Sequence, residues 1–334
     1  VYQVILLYTL STTLHENPDY LFQRFPLDHP ARRANTTHQQ LPVPFHCYDA
    51  DALVFHGQGS FSYFEKLVEN EMFTPIHVDD DRQHTLMNIW IMNYIDTAIG
   101  GYQEVVVGVL VNQGEHSKRV HCVNEFCLSN LLAFDPEISF YAVKLWLSSD
   151  NAIRYGRDKL GLDKVHCIQC HIHRHPTKPN QITSHHADDV NGVDTTLVWK
   201  SFHFTDDNDH PLISGHVLES NSIFTQILHI PKMIAQCGFA RLLKLLSMGY
   251  ASQTMLGRPN ITSTGFKTYN PRIQGIFKVN PWEFDPKFQL FDEKSDLLIL
   301  DGPQLGPTQF KPLMYHRSSH MQFVLLSPSN HDGF

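Results

Sequence analysis

The sequence predicts a mainly β (α+β) chain whose strands close into a barrel with helices at its periphery. Three observations carry this. Leu86, Asn88, Trp90, Met92 and Tyr94 alternate with Met87, Ile89, Ile91 and Asn93, so both faces of that run are largely apolar. Gly100 to Val111 (GGYQEVVVGVLV) follows as a second strand, and Phe140 to Leu147 is a third, apolar apart from Lys144. Strands that are apolar on both faces need cover on both, and a closed barrel surrounded by further structure supplies it.

In chain order, Val1 to Tyr8 (VYQVILLY) reads as a strand of a mature, processed chain, too short to span a bilayer and without a basic leader. Residues 9–44 are loop-like, with Pro18, Pro26, Pro30, Pro42 and Pro44 and the polar run Arg32 to Gln40, so residues 1–44 form a segment that wraps a core made elsewhere. The barrel is expected in residues 45–334. From Tyr48 to Val111 the order is strand, helix, strand, strand; Leu131 to Trp146 and Val165 to His173 continue the strands. Between these two, Ser149 or Asp150 caps a helix that has Ala152, Ile153, Gly156 and Leu160 on one small, apolar side. Arg154, Arg157, Asp158 and Lys159 are left to solvent, and Gly161 stops the helix. Residues 174–216 are polar and rich in Asp and His, with Leu197 to Phe204 as a strand inside them. Pro231 opens a helix on which Ile234, Gly238, Leu242, Leu245, Leu246 and Gly249 follow helical spacing. From Gly257 to Pro312 proline turns recur between short apolar runs such as Leu297 to Leu300.

A net charge of -8 leaves no basic stripe to displace counterions from phosphates, which excludes a nucleic-acid partner. No Gly-rich phosphate loop and no G-x-S-x-G elbow occur. Six cysteines (Cys47, Cys122, Cys127, Cys167, Cys170 and Cys237) are an even number, too sparse to scaffold a chain of this length. Cys122 and Cys127 can pair with each other or with Cys167 or Cys170, and the sequence leaves the choice open. Asn35-Thr36-Thr37 and Asn260-Ile261-Thr262 have the form of glycosylation acceptors. Together these features point to a secreted or vesicular protein with no membrane span.

Cys167 to His175 (CIQCHIHRH) contains C-x-x-C-H, the form of a covalent haem attachment. On a strand, however, Cys170 and His171 point to opposite faces. Cys167, His171, His173 and His175 share a face and, with His185 and His186, have ligand types that suit zinc. A polar strand face with a buried or disulfide-bonded cysteine accounts for the same residues, and no metal site is expected.

Ala152-Ile153, then Gly156-Arg157-Asp158, then Lys164 eight positions after the glycine, resembles the active-site segment of the acetoacetate decarboxylase family. There the segment reads A-I-x-x-G-R-E, a spacer, then Lys-Lys, and the first lysine forms a Schiff base with a keto acid. The resemblance covers residues 40–170 and, more thinly, 310–328. It implies the family's barrel, with insertions at about 174–216 and 250–310, and no required cofactor. It places the Schiff-base lysine on Lys164 and the family's glutamate, which manages protons beside the imine, on Glu104. The second lysine falls on Val165 and the family's arginine on Tyr48, and both are departures.

A lysine attacks a carbonyl only as the neutral amine, whereas an ordinary lysine, with a pKa of about 10.4, is almost entirely ammonium at neutral pH. Without a second lysine only burial is left to activate Lys164, with Leu162 and Val165 as its apolar setting. Apart from the resemblance, Lys164 reads as an exposed loop lysine beside Asp163. A phenol at position 48 cannot hold a carboxylate as a cation does, so a larger, less charged ligand is expected, lined by Trp90, Met92, Tyr94 and Tyr102. Two functions follow. One is a binding protein for a large apolar or conjugated molecule, a pigment such as a carotenoid, the bound chromophore being its one companion. The other is a lyase that forms an imine through Lys164, with Glu104 assisting, on a substrate bulkier than acetoacetate. Either is compatible with a homo-oligomer.

Overall fold

The computed structural model describes residues 20–28, 41–69, 73–78, 81–113, 138–167, 169–175, 197–220, 250–257, 272–278, 289–290, 298–302, 305–318 and 320–326. Its strands are β1 (Phe45–Ser60), β2 (Phe73–Pro75), β3 (His84–Thr97), β4 (Tyr102–Gln113), β5 (Ile138–Leu147), β6 (Val165–His166), β7 (Gln169–His175), β8 (Leu197–Thr205), β9 (Pro211–Ser220), β10 (Tyr250–Gly257), β11 (Arg272–Lys278), β12 (Gln289–Leu290), β13 (Leu298–Asp301), β14 (Lys311–Ser318) and β15 (Phe323–Leu326). Among the described residues the helices are α1 (Tyr20–Arg24), α2 (Phe61–Val68) and α3 (Asp150–Leu160), with a 3-10 turn at Gly306–Thr308.

The strands close. β1 pairs with β3, β3 with β4, β4 with β5, β5 with β10, β10 with β11, β11 with β15, and β15 returns to β1. Every contact in this ring is antiparallel except that between β5 and β10. The expected fold class, mainly β with a barrel and peripheral helices, is met. Beyond β15, the same edge of β1 is taken up by β14. A second sheet runs β13, β9, β8, β7.

The two apolar faces of the staves now have their explanation. Along β1, Ala50, Ala52 and Val54 turn into the barrel with Leu86, Met92 and Phe140, while Leu53 and Phe55 turn outward with Ile89, Val107 and Tyr141. The outward layer is covered by Phe202, Phe204 and Ile213 of the second sheet, and the rings of Phe55 and Phe202 stand 5.8 Å apart. Burying such side chains on both sides of a stave contributes roughly 1.5–3 kcal/mol apiece. α2 begins at Ser60, whose hydroxyl accepts from the Tyr63 amide, and buries Phe61, Phe64 and Val68. α1 lays Leu21 and Phe25 against Val324 and Leu326 of β15, and the Phe25 carbonyl accepts from His46 Nε2 at 2.6 Å.

Two expectations need correction. Tyr250–Gly257 and Arg272–Lys278 are staves of the barrel and not part of an insertion, since they bridge β5 to β15. They pair with each other, but the partners through which they join the ring, β5 and β15, lie far away in sequence, so their short apolar runs gave no sign of closure. The strand expected over 165–173 is two strands: β6 stays parallel to β5, and after Cys167 the chain leaves for the second sheet. The 174–216 segment supplies β8 and most of β9 of that sheet. Val1 to Tyr8, the helix after Pro231, both acceptor tripeptides, Cys122, Cys127 and Cys237 lie outside the described residues.

Candidate functional site

The site is built by α3 and the turn after it. Ser149 caps α3, its hydroxyl accepting from the Ala152 amide at 3.4 Å. The helix turns Ala152, Ile153, Tyr155, Gly156 and Leu160 into the barrel mouth. Gly161 ends it with φ +68, the left-handed backbone that glycine adopts without strain. The Leu162 amide then donates back to the Gly156 carbonyl at 2.9 Å, and the Lys164 amide to the Leu162 carbonyl at 3.1 Å. Arg157 Nη2 donates to the Lys164 carbonyl at 2.7 Å. Lys164 is therefore held through its own backbone from both sides.

Gly156 is required for a second reason. A Cβ there would stand 2.2 Å from Lys164 Cδ and 2.5 Å from Cε, so the lysine stem occupies the space the glycine leaves. The side chain runs inward over it and is only 6% exposed. Its ammonium donates to Glu104 Oε1 at 3.1 Å. Glu104, 3% exposed, comes from β4, where it lies between Met92 of β3 and Leu147 of β5. The expected solvent-facing alternative for Lys164 is thus not what the fold builds.

Around this pair is a small cavity lined by Tyr94, Tyr102 and Tyr155 and by apolar side chains that include Phe45, Ile99, Leu145, Leu162 and Met255. Its volume is about 40 Å³, enough for about three water molecules. The Tyr94 and Tyr102 rings stack at 4.2 Å. Burial pushes both hydroxyls well above the ordinary phenol range, the Glu104 charge pushes further, and Tyr94 hydrogen-bonds the carboxylate. Both remain protonated donors. Tyr155 is also pushed up, by burial first and the Asp28 charge second, and its hydroxyl has no partner among the described residues.

Of the residues expected at the site, Lys164, Glu104, Tyr94, Tyr102 and Leu162 are brought together. Trp90 and Met92 share the barrel interior but do not line this cavity. Tyr48 is outside it. Phe45 and Cys47 turn inward, so the alternation sends His46 and Tyr48 outward, where Tyr48 meets His46 Nδ1 at 3.2 Å and the Phe22 ring at 4.8 Å. Val165 is outside as well, 46% exposed, because it follows an inward residue on an extended chain. Tyr155 was missed although it lies three positions after Ala152, a spacing that a helical reading could have used. Met255 and Ile273 were missed because they come from the staves β10 and β11.

Cys167 is buried in the outward layer, while the side chains of Cys170, His171, His173 and His175, and residues His185 and His186, lie outside the described part. Among the described residues no group of His, Cys, Asp and Glu is placed to hold a metal ion, and no helix is long and apolar enough to cross a membrane.

No protein-family model and no curated protein matches the chain. Among solved structures it is similar to acetoacetate decarboxylase from Legionella pneumophila subsp. pneumophila str. Philadelphia 1, with a TM-score of 0.49 and 9% identity over 90% of this chain and 91% of that one. It is similar also to the enduracididine biosynthesis enzyme MppR complexed with pyruvate, with a TM-score of 0.40 and 7% identity over 87% and 89% of the two chains. The same enzyme with HEPES buffer bound gives 0.42 and 8% over 85% and 86%. The likeness is in the course of the backbone, and at these scores it assigns no residue and no reaction.

Proposed function

We propose that the barrel binds a small carbonyl compound and forms an imine with it through Lys164, as a lyase does. The observation that carries this is a lysine amine buried in a cavity, 3.1 Å from a buried carboxylate, with its stem seated over a glycine. A buried ion pair is costly to assemble and is weak evidence of stabilisation, so a fold that keeps one at a cavity has a use for it.

The chemistry follows from the two groups. A proton passes from Lys164 Nζ to Glu104, leaving a neutral amine and a neutral carboxyl. The Nζ lone pair adds to the carbonyl carbon, one Nζ proton moves to the resulting alkoxide to give the carbinolamine, and Glu104 returns its proton as that hydroxyl leaves as water, so that a protonated C=N bond remains beside an ionised Glu104. Tyr94, hydrogen-bonded to Glu104, steadies the carboxylate between these transfers. The apolar walls keep bulk water from the imine.

The second reading, a holder for an apolar ligand, is favoured by the predominance of apolar side chains in the lining. A long conjugated pigment needs several times the space this cavity offers, so that reading asks for a wider barrel mouth. Borohydride trapping separates the two. Incubation with small ketones and aldehydes under borohydride, followed by peptide mass mapping, is expected to place the reduced adduct on Lys164. If Lys164 takes no adduct from any carbonyl and the natural protein shows a visible absorption band, the holder reading replaces this one.

A further inference from the structure

We propose that the ligand is an uncharged carbonyl compound with a second oxygen, such as a hydroxyketone, and that Tyr155 recognises that oxygen. This rests on the imine reading and adds the class of ligand to it. Among the described residues three phenols line the cavity, and two are engaged: Tyr94 with Glu104, and Tyr102 with Tyr94. Tyr155 is only 2% exposed, lines the same cavity, and its hydroxyl has no hydrogen-bond partner among the described residues. A buried hydroxyl left without a partner is costly, so it marks a place where a polar atom of a ligand belongs.

Charge selects the class. Among the described residues that line the cavity, Lys164 is the one cation, and Glu104 already compensates it. A carboxylate arriving with the carbonyl would meet phenols, a buried carboxylate and the field of Asp28, which acts on Tyr155. A neutral oxygen meets a neutral donor and leaves no charge unpaired. The carbonyl oxygen itself is lost as water when the imine forms, next to Glu104. Tyr155 therefore serves the other oxygen. It is a specificity residue and takes no part in the proton transfers.

The test traps wild type and Tyr155→Phe under borohydride with hydroxyacetone, with 2-butanone (the same shape without the hydroxyl) and with pyruvate, and maps the adduct across a range of concentrations. Wild type is expected to reach half-labelling of Lys164 with hydroxyacetone at about fivefold lower concentration than with 2-butanone, the worth of one neutral hydrogen bond. Pyruvate should label least. Tyr155→Phe should fold at least as well, since the hydroxyl it loses has no partner among the described residues, and should abolish the hydroxyacetone preference, bringing the half-labelling concentrations of hydroxyacetone and 2-butanone together. Labelling by pyruvate at the lowest concentration, or a preference that survives in Tyr155→Phe, overturns the proposal and leaves the imine reading standing. No adduct on Lys164 from any of the three, with the circular dichroism of the folded protein intact, overturns both.

Discussion

Two polar pairs sit on the inward face of the same barrel and are built in opposite ways. Lys164 and Glu104 are ionic, 3.1 Å apart, and border a cavity. His56 and Asn88, toward the other end of β1 and β3, meet through Nδ1 and Oδ1 at 2.9 Å. Burial there pushes the imidazole pKa down to about 4 against the opposing pull of the Asn88 bond, so this pair is neutral at ordinary pH. Where side chains fill the barrel, only an uncharged polar group is tolerated. Charge survives only where it has a partner, and here that place is also where a ligand can enter. A buried polar group therefore becomes evidence of chemistry when it is charged and faces a cavity.

The largest effect should come from breaking the ionic pair. Lys164→Met leaves Glu104 as an uncompensated buried carboxylate, which costs on the order of 3–5 kcal/mol, and Glu104→Gln in the same chain should restore most of it. Denaturant unfolding of the two variants and wild type measures this. A loss below about 1 kcal/mol for Lys164→Met would mean that the pair is solvated and that the contrast with His56 is false.

Next comes the neutral pair, through pH. The folded pKa of His56, about 4, lies below its unfolded value near 6.5. Between those values the unfolded chain binds more protons, so stability is complete above about pH 6.5 and falls as pH drops toward 4, by roughly 3 kcal/mol in all. His46, lowered by burial against the opposing Phe25 bond, adds loss of the same sign. Unfolding free energies from pH 7 to 4 should show the slope, and His56→Gln should flatten part of it. An unchanged slope in that variant would assign the acid sensitivity elsewhere.

The smallest effect on stability is at Gly156. Gly156→Ala puts a methyl group into the space of the lysine stem, with a cost of about 1–3 kcal/mol. Lys164 should then be displaced from Glu104, so borohydride labelling should slow by at least about tenfold, as a misplaced reacting group does. Unchanged labelling would show that the stem has another route to the cavity.

Local pattern in the chain was enough for the staves β3, β4 and β5, because period-two alternation is a property of neighbours in sequence. It was enough also for α3, where Ser149, Gly156 and Gly161 act within a few residues of one another. The resemblance in Ala152 to Lys164 picked out the lysine, and the structure gives two residues of that segment a part in placing it: Gly156 makes room for the stem and Arg157 holds the carbonyl. Tyr48 and Val165 lie outside the cavity for one reason: each follows an inward residue on an extended chain, and which residue of a neighbouring pair turns inward is set by the closed barrel and not by composition.

The chain's own order of residues settled the class of the fold and the position of the helix, and it singled out Lys164 and Glu104 as candidates, all through interactions of short range or a local motif. Only the folded barrel decided that β10 and β11 complete the ring, that Tyr155 lines the cavity beside Lys164, and that positions 48 and 165 stay out. These depend on β5 meeting β10 and β15 meeting β1, pairings between segments more than a hundred residues apart, and no pattern of neighbours carries that information.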